Sequence, residues 1–201
     1  MTSQFGFVRT PFGMENMWSR YDSHSYYYST AFATQYGYKW DADLGIKSTF
    51  NTGFGNLEVA VLEGRANPTS TAHDNMPSAA ARWSTDTKTG GMTIMPVVST
   101  YTGRWRGGPL DLGVSAGANM KMGMFGLNAE YMYTGMSPAD VAGDKVKGHN
   151  VWAEPMFDLG VVNASAKIDY VNSKTGDGES TSNWNLSGAL THDWDKLRIR
   201  A

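Results

Sequence analysis

The feature that most constrains this chain is a long alternation of apolar and polar residues over residues 110–122, LDLGVSAGANMKM. A period of two is typical of a β-strand, because successive side chains point to opposite faces of the pleat. Ordinary strands have about 5–6 residues, whereas a tilted strand that spans a membrane needs roughly 9–11. The stretch is therefore long for a strand of a soluble sandwich. Its apolar positions are Leu110, Leu112, Val114, Ala116, Ala118, Met120 and Met122.

The same alternation recurs along the chain, and no stretch shows a comparable helical period of 3.6 residues. Residues 92–104 are apolar on both faces and include Pro96, so their phase stays open. We expect 10 to 12 strands, depending on whether residues 25–32 and 196–201 also form strands. The other alternating segments are residues 42–50, 57–61, 79–83, 125–133, 151–159, 162–170 and 183–194.

The connections between these segments alternate in length. Short glycine-containing turns such as NTGFGN, KTGG and KMGM interleave with longer polar segments such as RANPTSTAHDNMP and MSPADVAGDKVKG. Outer-membrane barrels have short periplasmic turns and longer extracellular loops. The pattern therefore favours one closed antiparallel meander over two domains.

Composition excludes several classes of function. The formal net charge is −2, with 17 Lys+Arg against 19 Asp+Glu, so nothing favours a nucleic-acid partner. The chain has no cysteine, which removes disulfides, thiolate metal sites and cysteine nucleophiles. No uninterrupted apolar run approaches the roughly 18 residues of a membrane helix.

The apolar faces of the clearest segments have the features of a lipid-facing surface. They carry no Lys, Arg, Asp or Glu in mid-strand, where a charge in a bilayer would cost about 2–4 kcal/mol. Aromatic residues lie near the segment ends, as in interfacial girdles. These features favour a transmembrane barrel over a soluble sandwich, in which the same residues would form a core. The aromatic residues are Trp40, Phe50, Trp83, Phe125, Tyr133, Tyr170, Trp184 and Trp194.

The opposite faces carry charges of both signs, which would be prohibitive in a dry core and must face water. In a barrel they would line an aqueous lumen, where opposed cations and anions set ion preference. In a soluble sheet they would form a solvated outer face. The residues that we expect to line a pore are Lys47, Glu58, Arg82, Asp111, Lys121, Glu130, Glu154, Lys167 and Asp169.

Residues 8–18, VRTPFGMENMW, carry a resemblance to a known family. Thr10-Pro11-Phe12-Gly13, followed by Glu15 and Trp18, resembles a TPFG segment of Gram-negative outer-membrane porins, including the phosphate-selective type. Residues 37–47 and 125–135 also resemble porin strands. The resemblance implies a 16-stranded barrel of the outer membrane, commonly a homotrimer in contact with membrane lipid and lipopolysaccharide, that passes small hydrophilic solutes or ions by diffusion. The mixed charges differ from the lysine ladder of phosphate-selective relatives, so phosphate specificity is not expected.

Catalytic and metal chemistry have little support in the sequence. The histidines His24, His73, His149 and His192 lack ligand spacing, and no nucleophile elbow or phosphate loop is present. We therefore expect no enzyme activity, no metal and no cofactor. An outer-membrane phospholipase would need His192 with Ser187 or Ser165, and a calcium loop would need more ligands than Asp177 and Glu179.

Our prediction from sequence is an all-β, antiparallel up-and-down transmembrane β-barrel that acts as a passive outer-membrane channel. Residues 1–201 are expected to form one domain that is incomplete at one or both ends, because Leu197, Ile199 and Ala201 begin another alternation. The start of the chain lacks the features of a signal peptide. The alternatives are a soluble all-β sandwich or lectin-like binding domain, and a structural outer-membrane barrel with no open pore.

Overall fold

A computed structural model describes residues 1–14, 42–63, 77–104, 110–136, 146–194 and 197–200. The described residues form β-strands and their connections, and none of them lies in a helix. The all-β class is thus confirmed. The strands are β1 (Thr2–Arg9), β2 (Ala42–Thr52), β3 (Gly55–Leu62), β4 (Ser78–Ser84), β5 (Thr87–Thr89), β6 (Met92–Arg104), β7 (Leu110–Met122), β8 (Phe125–Met136), β9 (Val146–Asp158), β10 (Asn163–Thr175), β11 (Ser180–Trp194) and β12 (Leu197–Arg200).

All of the described strands belong to one antiparallel sheet. Eleven of them follow one another as neighbours in chain order, and the short β5, which the sequence did not predict, pairs only with β6. Within the described residues no pairing joins β1 to β11 or β12, so the sheet has two open edges. The segment at residues 25–32 lies outside the described part. No helix among the described residues is long and apolar enough to cross a membrane.

The strand connections differ between the two ends of the sheet. At the lower end the strands are joined by short connections at residues 53–54, 90–91, 123–124 and 159–162. Gly123 and Gly160 take positive φ values of 56° and 86° there, a conformation that glycine adopts without a steric penalty. Residues 85–86 separate β4 from β5, which both run antiparallel to β6. At the upper end lie the connections at residues 10–41, 63–77, 105–109, 137–145 and 176–179. The predicted alternation of short and long connections is therefore present, although the connection at residues 176–179 is itself short.

The two faces of the sheet differ in burial, and the polar face is the buried one. We call it the inner face. Its buried residues include Trp152, Glu154 and Asn150, none more than 1% exposed. The opposite, outer face exposes Phe7 by 81%, Leu186 by 79% and Trp184 by 68%. A soluble sandwich with an apolar core would have the reverse arrangement.

The register fixes the phase of β6 that the sequence left open. Val97, Ser99 and Tyr101 are buried on the inner face, whereas Val98 and Thr100 are exposed on the outer face. Ser99 lies opposite Ser115 of β7, and their hydroxyl oxygens are 2.7 Å apart. Because both faces of β6 carry apolar residues, this contact between hydroxyl groups identifies the inner face where hydropathy does not.

Candidate functional site

The candidate site is the buried inner face of the sheet, and a segment of the chain itself packs against it. Thr10–Met14 follows β1 at the upper end, and its five residues are all buried. We call these residues the inner segment. Gly13 takes a φ of 73°, and its backbone N–H donates to Ser99 Oγ at 2.8 Å. Phe12 packs edge-on against Tyr101 with ring centroids 6.2 Å apart. The inner segment therefore connects β1 to the wall formed by β6–β9.

Glu130 is the residue that holds the end of the inner segment. It is 2% exposed, and its Oε1 accepts the backbone N–H of Met14 at 2.9 Å. Its Oε2 accepts the indole N–H of Trp152 at 3.1 Å. Hydrogen bonds to a charged acceptor are among the stronger ones in proteins. Glu130, which the sequence predicted as a pore-lining residue, therefore holds Met14 and Trp152 in place by hydrogen bonds.

Met14 lies in a position that only a glycine in β7 allows. A Cβ at Gly117 would lie 2.5 Å from Met14 Sδ and 2.6 Å from the carbonyl oxygen of Ala129. Met14 is fully buried and forms an apolar cluster with Val97 and Trp152. Because Gly117 has no side chain, Met14 of the inner segment can pack directly against β7.

Trp152 connects this apolar cluster to the charged residues of β10. Lys167 Nζ lies 4.5 Å from the centroid of the Trp152 ring, which is a cation–π distance. Lys167 and Glu154 lie between the paired positions Ser165–Met156 and Ile168–Ala153 of β10 and β9. Glu154 is 1% exposed; its Oε2 lies 3.4 Å from Asn128 Nδ2, and its Oε1 has no hydrogen-bond partner in the described chain. A carboxylate with so few partners is costly to bury.

A second group of charges lies on β2–β4. Glu58 Oε2 accepts from Arg82 Nη1 at 3.0 Å, and Glu58 Oε1 lies 3.4 Å from Lys47 Nζ. The three side chains are only 9–11% exposed. Two cations share one carboxylate, so this cluster carries a formal charge of +1.

We expect a double-mutant cycle to detect the coupling of Glu58 to Arg82. Glu58→Ala and Arg82→Ala, alone and combined, should give an interaction free energy of about 1–2 kcal/mol, because the pair is largely shielded from water. Denaturant titration of the folded protein measures it. A control cycle of Glu58→Ala with the distant Lys147→Ala should give about zero. A coupling below about 0.3 kcal/mol for Glu58 and Arg82 would contradict the pairing.

The residues that the sequence predicted to line a pore fall into two groups by their exposure. Lys121 is exposed near the lower end of β7, although it follows the inner-face alternation. The other predicted residues are buried on the inner face: Lys47, Glu58, Arg82, Asp111, Glu130, Glu154, Lys167 and Asp169. Asp169 accepts a hydrogen bond from Asn150 Nδ2. Among these buried residues, four acidic side chains outnumber Lys167 on β7–β10, whereas two cations outnumber Glu58 on β2–β4.

Sequence reasoning missed the residues that organise the interior. Trp152 lies on the polar face of β9, between Asn150 and Glu154. A large aromatic residue among polar residues of one face is the signal that could have identified it. The inner segment includes the Thr10-Pro11-Phe12-Gly13 motif, but nothing in that motif indicated that it packs against the inner face. Ser99, Asn128 and Asn150 are ordinary polar residues in sequence, and only the register brings them to buried acceptors and donors.

The residues considered for catalysis or metal binding are not assembled into a site in the described chain. His149 is exposed on the outer face, and its Nδ1 lies 2.7 Å from the Tyr131 hydroxyl oxygen. Asp177 and Glu179 are exposed in the connection between β10 and β11. Among the described residues no group of three or more His, Asp or Glu side chains could hold a metal ion. His24 and His73 lie outside the described residues.

Comparisons of the chain with protein-family models, with curated proteins and with solved structures find no match.

Proposed function

We propose that this chain forms an outer-membrane β-barrel of porin type, with the outer face against lipid and the inner face around the path of small hydrophilic solutes or ions. The observation that carries the proposal is the inverted burial of the sheet. Charged residues such as Glu130 and Lys167 are at most 3% exposed, while apolar residues on the other face are widely exposed. Apolar residues exposed over a whole sheet mark a surface that is covered in the functional state. A bilayer is the environment in which this arrangement is stable.

The outer face has the vertical order expected across a bilayer. Phe50, Trp83, Phe125 and Phe157 lie toward the lower end, and Tyr133, Tyr170 and Trp184 lie toward the upper end. Phe125 and Tyr133 are separated by about 27 Å along β8. At the usual tilt of barrel strands this is roughly 20 Å along the membrane normal, close to the apolar band of such barrels.

Between these aromatic levels the outer face is made of small and aliphatic residues. One row runs across neighbouring strands at mid-height, as the registers show: Pro96, Ala118, Ala129, Ala153, Ile168 and Leu186. In the described strands no Lys, Arg, Asp or Glu occupies the outer face between the two aromatic levels. Short side chains are compatible with fluid acyl chains but would pack a protein core poorly.

Closure of the barrel is part of the proposal. An open sheet edge is not tolerated in hydrocarbon, so β1 and β12 would both need partners. The eleven strands of the path alternate in direction, so β1 and β12 run parallel to each other. Purely antiparallel closure therefore needs an odd number of further strands, a condition that a 16-stranded barrel meets. The edge of β1 borders a cleft of about 550 Å³, lined by Gln4, Phe5, Phe7, Val8, Arg9 and Lys47.

A structural barrel without an open pore is the second candidate. It is favoured by the inner segment, whose residues fill the space beside β6–β9, and by Trp152 and Met14, which are fully buried. In an open porin the same segment would narrow the path, and Lys47, Arg82 and Lys167 would oppose the acidic residues across it. A soluble sandwich has less support, because its apolar face should be internal.

The deciding experiment is gel migration of detergent-refolded protein with and without heating, together with conductance in a planar bilayer. Heat-dependent migration and stepwise channels would support the porin. Heat-dependent migration without channels would support the closed structural barrel. A monodisperse protein in the absence of detergent, with no conductance, would contradict both and favour the sandwich.

Charge reversal of the lysines should change ion preference if the inner face lines the path. Lys167→Glu changes the charge by two units, worth roughly 1 kcal/mol for an ion passing at about 7 Å in water and opposite in sign for cations and anions, so the cation over anion permeability ratio should rise about 30-fold. Lys121→Glu makes the same change at the exposed lower end and should have a smaller effect. Reversal potentials in a salt gradient measure both. Unchanged ion preference in both variants would exclude the assignment of these residues to the pore.

A further inference from the structure

The upper end of the outer face carries two lysines directly beside each other. Lys147 of β9 and Lys174 of β10 are partners in the register, and both side chains are exposed. Like charges at directly opposed positions of a sheet repel each other. Neither ammonium group forms a salt bridge in the described part of the chain. Asp177 and Glu179 lie in the next connection but do not pair with either lysine.

Polar groups that can donate hydrogen bonds lie just below the two lysines. His149 is two residues from Lys147 on the same face and stands opposite Asn172 of β10. Its Nδ1 lies 2.7 Å from the hydroxyl oxygen of Tyr131, and its Nε2 has no hydrogen-bond partner in the described chain. Asn172 Nδ2 donates to Ser182 Oγ at 2.9 Å on the neighbouring strand. Two cations and an imidazole thus share one exposed surface.

The height of this surface matches the headgroup region of the proposed bilayer. On β8, Tyr133 lies opposite His149 and Tyr131 lies two residues below it. On the other side, Tyr170 of β10 lies opposite Val151, and Trp184 of β11 lies opposite Tyr170. Aromatic belts mark the boundary between acyl chains and headgroups. The lysines therefore project just beyond the acyl chains, at the depth of lipid phosphates. The end with the longer connections is the outward-facing end in outer-membrane barrels.

We propose that Lys147, Lys174 and His149 form a binding site for a phosphate group in the headgroup of lipopolysaccharide. The two ammonium groups supply the charge, the imidazole supplies a hydrogen bond, and the phosphate removes the repulsion between the lysines. The inference rests on the proposed membrane location, because it needs the outer face to lie in lipid. The ligand is a phosphorylated glycolipid rather than free phosphate, because acyl chains would cover the apolar residues below the site.

The test uses the protein folded in zwitterionic detergent and titrated with bisphosphorylated lipid A, with binding followed by NMR of the His149 ring. One membrane-proximal lysine contributes about fivefold in affinity. We expect about fivefold weaker binding for Lys174→Gln and about 30-fold for the double variant Lys147→Gln/Lys174→Gln. Lys88→Gln, an exposed lysine in β5 at the lower end, is the matched control and should bind as the parent does. Added salt should weaken parent binding more than binding of the double variant.

The outcomes separate the site from the membrane proposal. Equal affinity of the parent and the double variant, both with heat-dependent gel migration, would overturn the site while leaving the barrel in place. Equal displacement of His149 signals by inorganic phosphate and by lipid A would overturn the lipid assignment. Failure of the parent to fold in any detergent would overturn both proposals.

Discussion

In lipid vesicles the Ile168→Arg variant is expected to lose about 2–4 kcal/mol of folding free energy, because the guanidinium would enter the mid-height row of the outer face. Ile168 is already 45% exposed and lies opposite Ala153 and Leu186. In a soluble protein the exchange of such an exposed apolar side chain for arginine changes stability by less than about 0.5 kcal/mol. The substitution therefore distinguishes lipid from water at this face.

Denaturant titration of the vesicle-bound protein measures the difference, and Leu159→Arg is the matched control. Leu159 is 57% exposed in the connection between β9 and β10, at the lower end and outside the strands. A cationic side chain near the interface costs about 0–1 kcal/mol. Equal stability of Ile168→Arg and the parent would contradict a lipid-facing outer surface.

The Trp152→Ala variant is expected to lose about 3–5 kcal/mol, since it removes a fully buried indole and leaves a cavity beside Met14 and Val97. Trp152→Phe preserves most of the packing but removes the hydrogen bond to Glu130. Its expected loss is about 1–3 kcal/mol, because a hydrogen bond to a buried carboxylate is removed. The two variants separate the contribution of packing from that of the hydrogen bond.

Trp184→Ala provides the comparison on the outer face. Trp184 is 68% exposed and contacts Tyr170 at a centroid distance of 4.6 Å, so its loss should cost about 1 kcal/mol. If Trp152→Ala proves as mild as Trp184→Ala, then the space behind the inner face is not packed, and an open, water-filled lumen gains support. A large loss would favour the narrowed or closed interior.

The sequence predicted the strands and their faces because alternation with a period of two is a local property. It predicted that Glu130 and Asp169 share a face with Lys167, and all three lie on the inner face, where they are buried and not exposed to water as the sequence suggested. It could not predict the path of the inner segment, whose hydrogen bonds join Gly13 to Ser99 and Met14 to Glu130 across 86 and 116 residues. No local pattern encodes contacts at that separation.

Two further differences have local causes. The phase of β6 was ambiguous because Val97 and Val98 are both apolar, and the choice depends on Ser99, whose hydroxyl contacts Ser115 and Gly13. Lys121 follows the polar alternation of β7 but is exposed, because it lies one residue from the turn at the lower end. Alternation predicts the face of a residue, while burial also depends on its distance from the strand end.

The strict alternation of the two faces also restricts how the length of this chain can change during evolution. One extra residue in the middle of β7 would turn Asp111 toward the outer face and Leu112 toward the inner face, unless a bulge absorbed it. Two extra residues would leave both faces as they are. Strands of this sheet should therefore lengthen and shorten in steps of two, whereas an exposed connection such as residues 176–179 can gain or lose single residues freely.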